Sequence, residues 1–270
     1  MNFLEESHGD EKRNLASRMM SPEVRKRPKL WVEGKTDQHL LMYYWQEESP
    51  LGFEIDVFSS KGKKEVIQKM NLELATVFGL VDMDHDFNGA EIVNRNLWDT
   101  NPKVTLSSYC LTSEKTFIGI VRNTCQRFGL KSISDENISK IKQLAAAYTY
   151  IKLFKGKKDI GSELSGGYGW KDIEFGTERL YGCVADLHFL NASINSEFHL
   201  FLKKYSGELA QCGLNDHALC KAITIFLNSH IAKRQTFERV ENQFNQFRFM
   251  NRMPKFVERL RRRIKKNYNS

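Results

Sequence analysis

The sequence has no run approaching the ~20 consecutive apolar residues that cross a bilayer. It opens on MNFLEESHGDEKRN, a polar and acidic stretch that reads as neither a secretory signal nor a transit peptide. Cysteine is sparse: Cys110, Cys125, Cys183, Cys212 and Cys220 are scattered, odd in number and without a Cys-x-x-Cys pair. That pattern excludes a disulfide framework and leads us to expect free thiols in a reducing cytosol. Cys212, His217 and Cys220 are close enough in sequence to share a metal, but a structural zinc site wants four ligands in tighter pairs, so they are expected to be ordinary core and surface residues. No Walker-type loop is present either: the glycine-rich segment Gly161–Gly176 (GSELSGGYGWKDIEFG) lacks the Lys-Ser/Thr ending that cradles nucleotide phosphates. No internal repeat is apparent.

The 270 residues are 41% hydrophobic with mean hydropathy −0.50, enough for a core in one large domain or two small ones. The formal charge is +8, and its placement is informative. From Arg248 to Ser270 nine basic residues face the single acid Glu258, so the whole excess sits at the C-terminus and the remainder is balanced. A focused basic patch attracts polyphosphate through counterion release, which makes Arg259, Arg261, Arg262, Arg263, Lys265 and Lys266 candidate nucleic-acid contacts.

Hydrophobic patterning divides the chain into an N-terminal extension over 1–28, an α/β domain over 29–125, and a mainly helical region over 126–270 that includes the loop 161–176 and a basic C-terminal helix. In the α/β part, Lys29–Glu33, Phe53–Phe58, Val77–Val81 and Lys103–Tyr109 read as strands, with helices over Asp37–Glu47 and Lys64–Asn71. Such alternation implies a parallel sheet flanked by helices. Beyond it, Asp135–Phe154, His188–Tyr205 and Asn215–Phe249 carry helical spacing. The aromatic residues of the glycine-rich segment suit either a base-clamping loop or a plain connection.

Two short motifs come after predicted strands: Glu33-Gly34-Lys35-Thr36-Asp37 and Asp82-Met83-Asp84-His85-Asp86. Open parallel sheets place their sites at the carboxyl ends of strands. Neighbouring strands would bring Glu33, Asp82 and Asp84 into one crevice, where three carboxylates repel unless a hard cation joins them. Magnesium, or manganese in its place, takes oxygen ligands and keeps waters, leaving room for a phosphodiester. In Asp-x-Asp, two residues apart in extended chain, both carboxylates face one way and Met83 turns to the core. Gly34 is expected to permit a sharp turn. Lys35 completes the candidate catalytic set. Asp37 positions Lys35, coordinates a metal-bound water or simply begins a helix, and Asp86 either joins the cluster or caps a turn. Lys61 and Lys63, after the second strand, lie on the same edge as candidate phosphate contacts.

These motifs resemble those of the TOPRIM domain of primases, type II topoisomerases, recombination proteins and OLD-family nucleases: a Glu-Gly after the first strand and an Asp-x-Asp after the third. The resemblance implies a four-stranded parallel sheet, Glu33 as general base or ligand, and Asp82 and Asp84 as magnesium ligands. Over roughly residues 29–117 the chain is more similar to the OLD-like nuclease effectors of PARIS-type phage-defence systems. In that group a "tyrosine…glutamate" segment, matched by Tyr109 to Glu114, implies Glu114 as a second-metal ligand. The resemblance further implies a bacterial, cytoplasmic endonuclease cleaving host tRNA, held by an ABC-type ATPase partner until triggered and active as a homodimer, with the helical half serving association or docking. A DNA-nicking TOPRIM nuclease and a non-catalytic module binding nucleic acid or an ATPase are the alternative readings. A primase would need a zinc ribbon and a topoisomerase a DNA-gating region, and neither is present.

Overall fold

The computed structural model describes residues 27–47, 55–72, 77–83, 96–158, 172–175, 184–188, 191–249 and 253–268. The sheet strands are β1 (Lys29–Val32), β2 (Asp56–Ser59), β3 (Val77–Val81) and β4 (Leu97–Asp99). They pair in the order β2-β1-β3-β4, all parallel. Helix α1 (Lys35–Glu47) comes after β1 and α2 (Lys63–Leu72) after β2. The chain is thus α/β, a parallel sheet flanked by helices and succeeded by a mainly helical region.

Period-2 alternation sorts the sheet's side chains. Leu30 and Val32 of β1, with Phe78 and Leu80 of β3, face Leu40, Leu41 and Tyr44 of α1. On the opposite face, Val77, Val81 and Leu97 pack with Val66 and Met70 of α2, and Trp31 leans on them. All five residues of β3 are buried, as expected of a central strand covered on both sides.

The fourth strand differs from the sequence reading. Lys103–Tyr109 is not a strand; β4 lies earlier, and the segment instead enters a 3-10 helix, Leu106–Leu111. The cause is local capping: the Thr105 hydroxyl accepts from the Ser108 N–H at 3.3 Å, and the Ser108 hydroxyl lies 3.4 Å from the Thr105 N–H, the reciprocal arrangement of a capping box.

The helical region comprises α3 (Glu114–Arg127), α4 (Asp135–Lys158), α5 (Ala192–Lys204), α6 (Ser206–Cys212), α7 (Asp216–His230) and α8 (Phe237–Phe249). Its core gathers Leu144, Ala145, Ala146 and Ala147 of α4 with Leu219, Ala222, Ile223 and Phe226 of α7. The small alanines let the two helices approach closely. Three readings of this half are corrected. His188 is a turn residue and the helix starts at Ala192, where the Asn191 side chain accepts from the Ile194 N–H at 2.9 Å. The stretch Asn215–Phe249 is two helices, because the Asn228 amide pairs in both directions with the backbone of Gln235 at 3.1 and 2.7 Å. Ile173–Phe175, inside the expected loop, is strand β5, antiparallel to β6 (Val184–Leu187); the rest of the glycine-rich segment lies outside the described residues.

Helix α9 (Lys255–Tyr268) returns to the sheet. Its Val257, Leu260 and Ile264, spaced as one helical stripe, are buried against the β1–β3 face. Phe256 stacks on Tyr109, while Asn267 reaches Asn96 before β4, so α9 runs antiparallel to β4. The basic segment is therefore a layer of the α/β core rather than a free tail. Each buried aliphatic side chain contributes roughly 1.5–3 kcal/mol, so charge substitutions, not deletion, isolate the electrostatics of α9. Among the described residues no helix is long and apolar enough to cross a membrane.

A Cβ on Gly79 would stand 2.7 Å from Leu97 Cδ1 and 3.0 Å from Met70 Cγ. Gly79→Val should therefore destabilise the chain by about 1–3 kcal/mol through overpacking, read as a lower denaturant midpoint. Adding Met70→Ala should recover part of the loss, and an unchanged midpoint in Gly79→Val would refute this packing.

Candidate metal centre

Glu33 comes directly after β1 and Asp82 directly after β3. Because β1 and β3 are hydrogen-bonded neighbours in register, Val32 opposite Leu80, the two acids emerge on the same carboxyl edge although they are 49 residues apart. The Glu33 carboxylate accepts the Asp82 backbone N–H at 2.7 Å. The Asp82 carboxylate in turn accepts the Leu106 N–H, at the start of the 3-10 helix, at 3.0 Å. Backbone donors thus orient both groups, each about half-buried.

The loop after β3 is held from β4. The Thr100 N–H donates to the Val81 carbonyl at 3.0 Å; the Thr100 hydroxyl accepts from the Met83 N–H at 2.9 Å and donates to the Lys103 carbonyl at 2.9 Å. Met83 points inward, 2% exposed, as the Asp-x-Asp alternation requires.

The remaining expected site residues divide clearly. Lys63 reaches Asp82, its ammonium donating to the Asp82 backbone carbonyl at 3.2 Å. Lys61 is exposed, with its backbone N–H on the Glu65 carboxylate at 2.7 Å. Lys35 is exposed at the first position of α1, and Asp37 occupies that helix's first turn, where an acid suits the helix dipole. The turn at Gly34 has no positive φ, and a Cβ there would meet only Asp37 Oδ2 at 3.7 Å, so backbone freedom is not what this glycine supplies. Glu114, the first residue of α3, is exposed and ion-paired with Lys142 of α4 at 2.6 Å. Asp84 and Asp86 lie outside the described residues. Among the described residues no group of three or more His, Cys, Asp or Glu gathers; Glu33 and Asp82 are two members of the expected set of three. Two carboxylates at neighbouring strand ends, one bonded to the backbone N–H of the other, are hard oxygen donors of the kind a divalent cation such as magnesium takes.

Cys212 and Cys220 are buried in the helical core, while His217 is exposed and meets Glu241 at 2.9 Å. Burial pushes the Cys212 thiol up to about 12, against the pull of Lys103.

Sequence reading missed the supports of this site. Thr100 carries no motif. The Thr105-x-x-Ser108 spacing was a usable capping signal, hidden by the strand assignment. Support also arrives from the helical region: Ser108 donates to the Leu214 carbonyl at 2.7 Å, Val104 to Cys212 at 2.9 Å and the Lys103 ammonium to Gln211 at 2.5 Å. Gly213, between those acceptors, has φ +73° and only 3.3–3.4 Å of clearance to Lys103 and Ser108, so both conformation and space require glycine.

No family model matches the chain, and no curated protein matches it in sequence.

These supports can be tested singly. Thr100→Val keeps the shape but strands the Met83 N–H and the Lys103 carbonyl; we expect a loss of about 1–3 kcal/mol in denaturant unfolding, and no loss would show the bridge to be dispensable. Burial lifts the Tyr109 phenol from 10.0 to about 12, with Arg259 lowering it and Asp99 raising it. A raised value means the fold prefers the neutral phenol, so its stabilisation is complete below pH ~10 and is lost as pH climbs through about 12. Subtracting the alkaline ultraviolet titration of Tyr109→Phe from that of the parent should isolate a tyrosine titrating late, near 12; a midpoint at the ordinary value would contradict the geometry.

Proposed function

We propose that this chain is a magnesium-dependent phosphodiesterase, an endonuclease that cleaves tRNA in the bacterial cytoplasm as the effector of an ATPase-controlled phage-defence system. The observation that carries the chemistry is the 2.7 Å bond from the Asp82 N–H to the Glu33 carboxylate, which ties the two acidic motifs into one site. The choice of tRNA, of an ABC-type ATPase partner and of a homodimeric active form rests on the resemblance of the Glu33-Gly34 and Asp82-x-Asp84 motifs to OLD-like TOPRIM nucleases.

In this reading Glu33, Asp82 and Asp84 hold the cation; manganese would serve in its place. The bound cation supplies a Lewis acid for the phosphoryl oxygens and a water of lowered pKa. Glu33 would orient or deprotonate the attacking water, while the Leu106 N–H holds one oxygen of the Asp82 carboxylate. Lys63, already within reach of Asp82, and exposed Lys35 and Lys61 provide positive charge for the substrate backbone. Glu114, which the resemblance makes a second-metal ligand, is exposed at the start of α3 and ion-paired with Lys142.

The test incubates the chain with tRNA and with plasmid DNA, each in magnesium and in EDTA. The expected result is tRNA cleavage that requires the metal and falls about 10²-fold or more in Glu33→Gln and Asp82→Asn, with unchanged thermal unfolding. Nicking of DNA without loss of tRNA would reassign the substrate. Full activity of Glu33→Gln would end the proposed chemistry, and the absence of metal binding dependent on Asp82 would favour a non-catalytic nucleic-acid module.

A further inference from the structure

Beside the candidate centre lies a cavity of about 440 Å³ between the end of β4, the 3-10 helix and α9, within the size range of small-molecule sites, about 300–1,000 Å³. Its lining includes Trp98, Asp99, Tyr109, Phe256, Arg259 and Arg263. Asp99 pairs with Val81 in the sheet register, so the cavity opens one strand over from Asp82, on the same carboxyl edge.

Three chemistries meet there. The first is aromatic surface: Tyr109 and Phe256 stack at 4.2 Å and 12°, and the Tyr109 hydroxyl is pinned by the Thr100 and Asn101 carbonyls at 3.0 and 3.1 Å. Trp98 is backed by Phe78 at 5.6 Å and 6°. The second is positive charge: Arg259 and Arg263 are exposed, and among the described residues neither is held in an ion pair, whereas Arg262 on the same helix is bonded to Glu258. The third is a carboxylate: Asp99 Oδ1 accepts the Asn101 N–H at 3.1 Å, and its other oxygen has no partner among the described residues.

Stacking surface suits any base, unspent guanidinium groups suit phosphate, and a carboxylate oxygen accepts from an exocyclic amino group. We infer that this cavity is a nucleotide subsite of the substrate strand, holding an unpaired, amino-bearing base next to the phosphate that lies over Glu33 and Asp82. The inference deepens the phosphodiesterase reading and rests on it for its place beside the scissile bond. The lining joins aromatic and aliphatic surface to two guanidinium groups and a carboxylate, a mixture that suits a ligand with both a flat ring and charge. A duplex, whose bases are already stacked and paired, would present no free face to it.

The experiment measures binding of the full chain to fluorescein-labelled single-stranded decamers of oligo(A), oligo(C) and oligo(U), and of the matching DNA, in EDTA over a salt series. Arg259→Ala with Arg263→Ala should flatten the salt slope by about 1.4, two single-strand phosphate contacts at ~0.7 each, and Arg259→Lys with Arg263→Lys should restore it. Phe256→Leu should weaken binding about tenfold by removing a stacking surface. Asp99→Ala, which removes the acceptor oxygens, should abolish a several-fold preference for oligo(A) and oligo(C) over oligo(U). Lys203→Ala, on α5, is the charge-loss control. Pocket variants that bind with the parent's affinity and slope, or a control that loses as much as they do, overturn the inference. Comparable RNA and DNA binding supports a base-and-phosphate subsite that does not read the sugar, and a bias to either strand supports one that does. Magnesium-dependent cleavage reports separately: cleavage without any pocket effect removes the subsite and leaves the nuclease, while pocket effects without cleavage leave the subsite and remove the nuclease.

Discussion

The parallel pairing of β1 with β3 governs the rest of the molecule. That pairing sets Val32 against Leu80, and the acids stand at the ends of these two strands. A one-residue slip would turn every inward side chain of one strand outward, so the buried Leu30, Val32, Phe78 and Leu80 hold the register that also sets Glu33 beside Asp82. The bond from the Asp82 N–H to the Glu33 carboxylate is the visible product. Core packing and site geometry are here one constraint, because the same strands supply the apolar faces and end in the acids.

The helical half braces the backbone that faces Asp82. Buried Thr149 of α4 accepts the Asn215 N–H at 3.0 Å, the adjoining Leu214 carbonyl receives the Ser108 hydroxyl, and the 3-10 helix that Ser108 helps to cap offers its Leu106 N–H to Asp82. Each link is a single, geometrically demanding hydrogen bond in a buried or half-buried setting, where an unmade bond is costly. The backbone donor facing Asp82 is thereby tied to the largest hydrophobic core among the described residues.

Helix α9 joins two properties that composition alone presents separately. Its charged residues suggest a solvated tail and its apolar stripe a packed helix. The structure satisfies both by laying Val257, Leu260 and Ile264 on the sheet and leaving Arg259 and Arg263 over the end of β4. Aromatic and basic side chains from residues far apart in sequence therefore border the same edge as the acids.

Much of this was legible in the order of residues. Val77–Val81 reads directly as a buried strand, and Glu33 and Asp82 come after apolar strands as parallel α/β sheets require; those signals are local, set by side-chain period and by the residue after a strand's end. The fourth strand was not legible, since Leu97 and Trp98 give too short an apolar run, while Val104–Tyr109 has strand-like composition that capping by Thr105 and Ser108 overrides. The placement of α9, the Thr100 bridge and the Lys142 partner of Glu114 depend on segments distant in the chain. Composition and period report which face of an element is apolar; which other element covers that face, and which buried donor is left to orient a carboxylate, is decided only when the layers close and each polar group must find a partner.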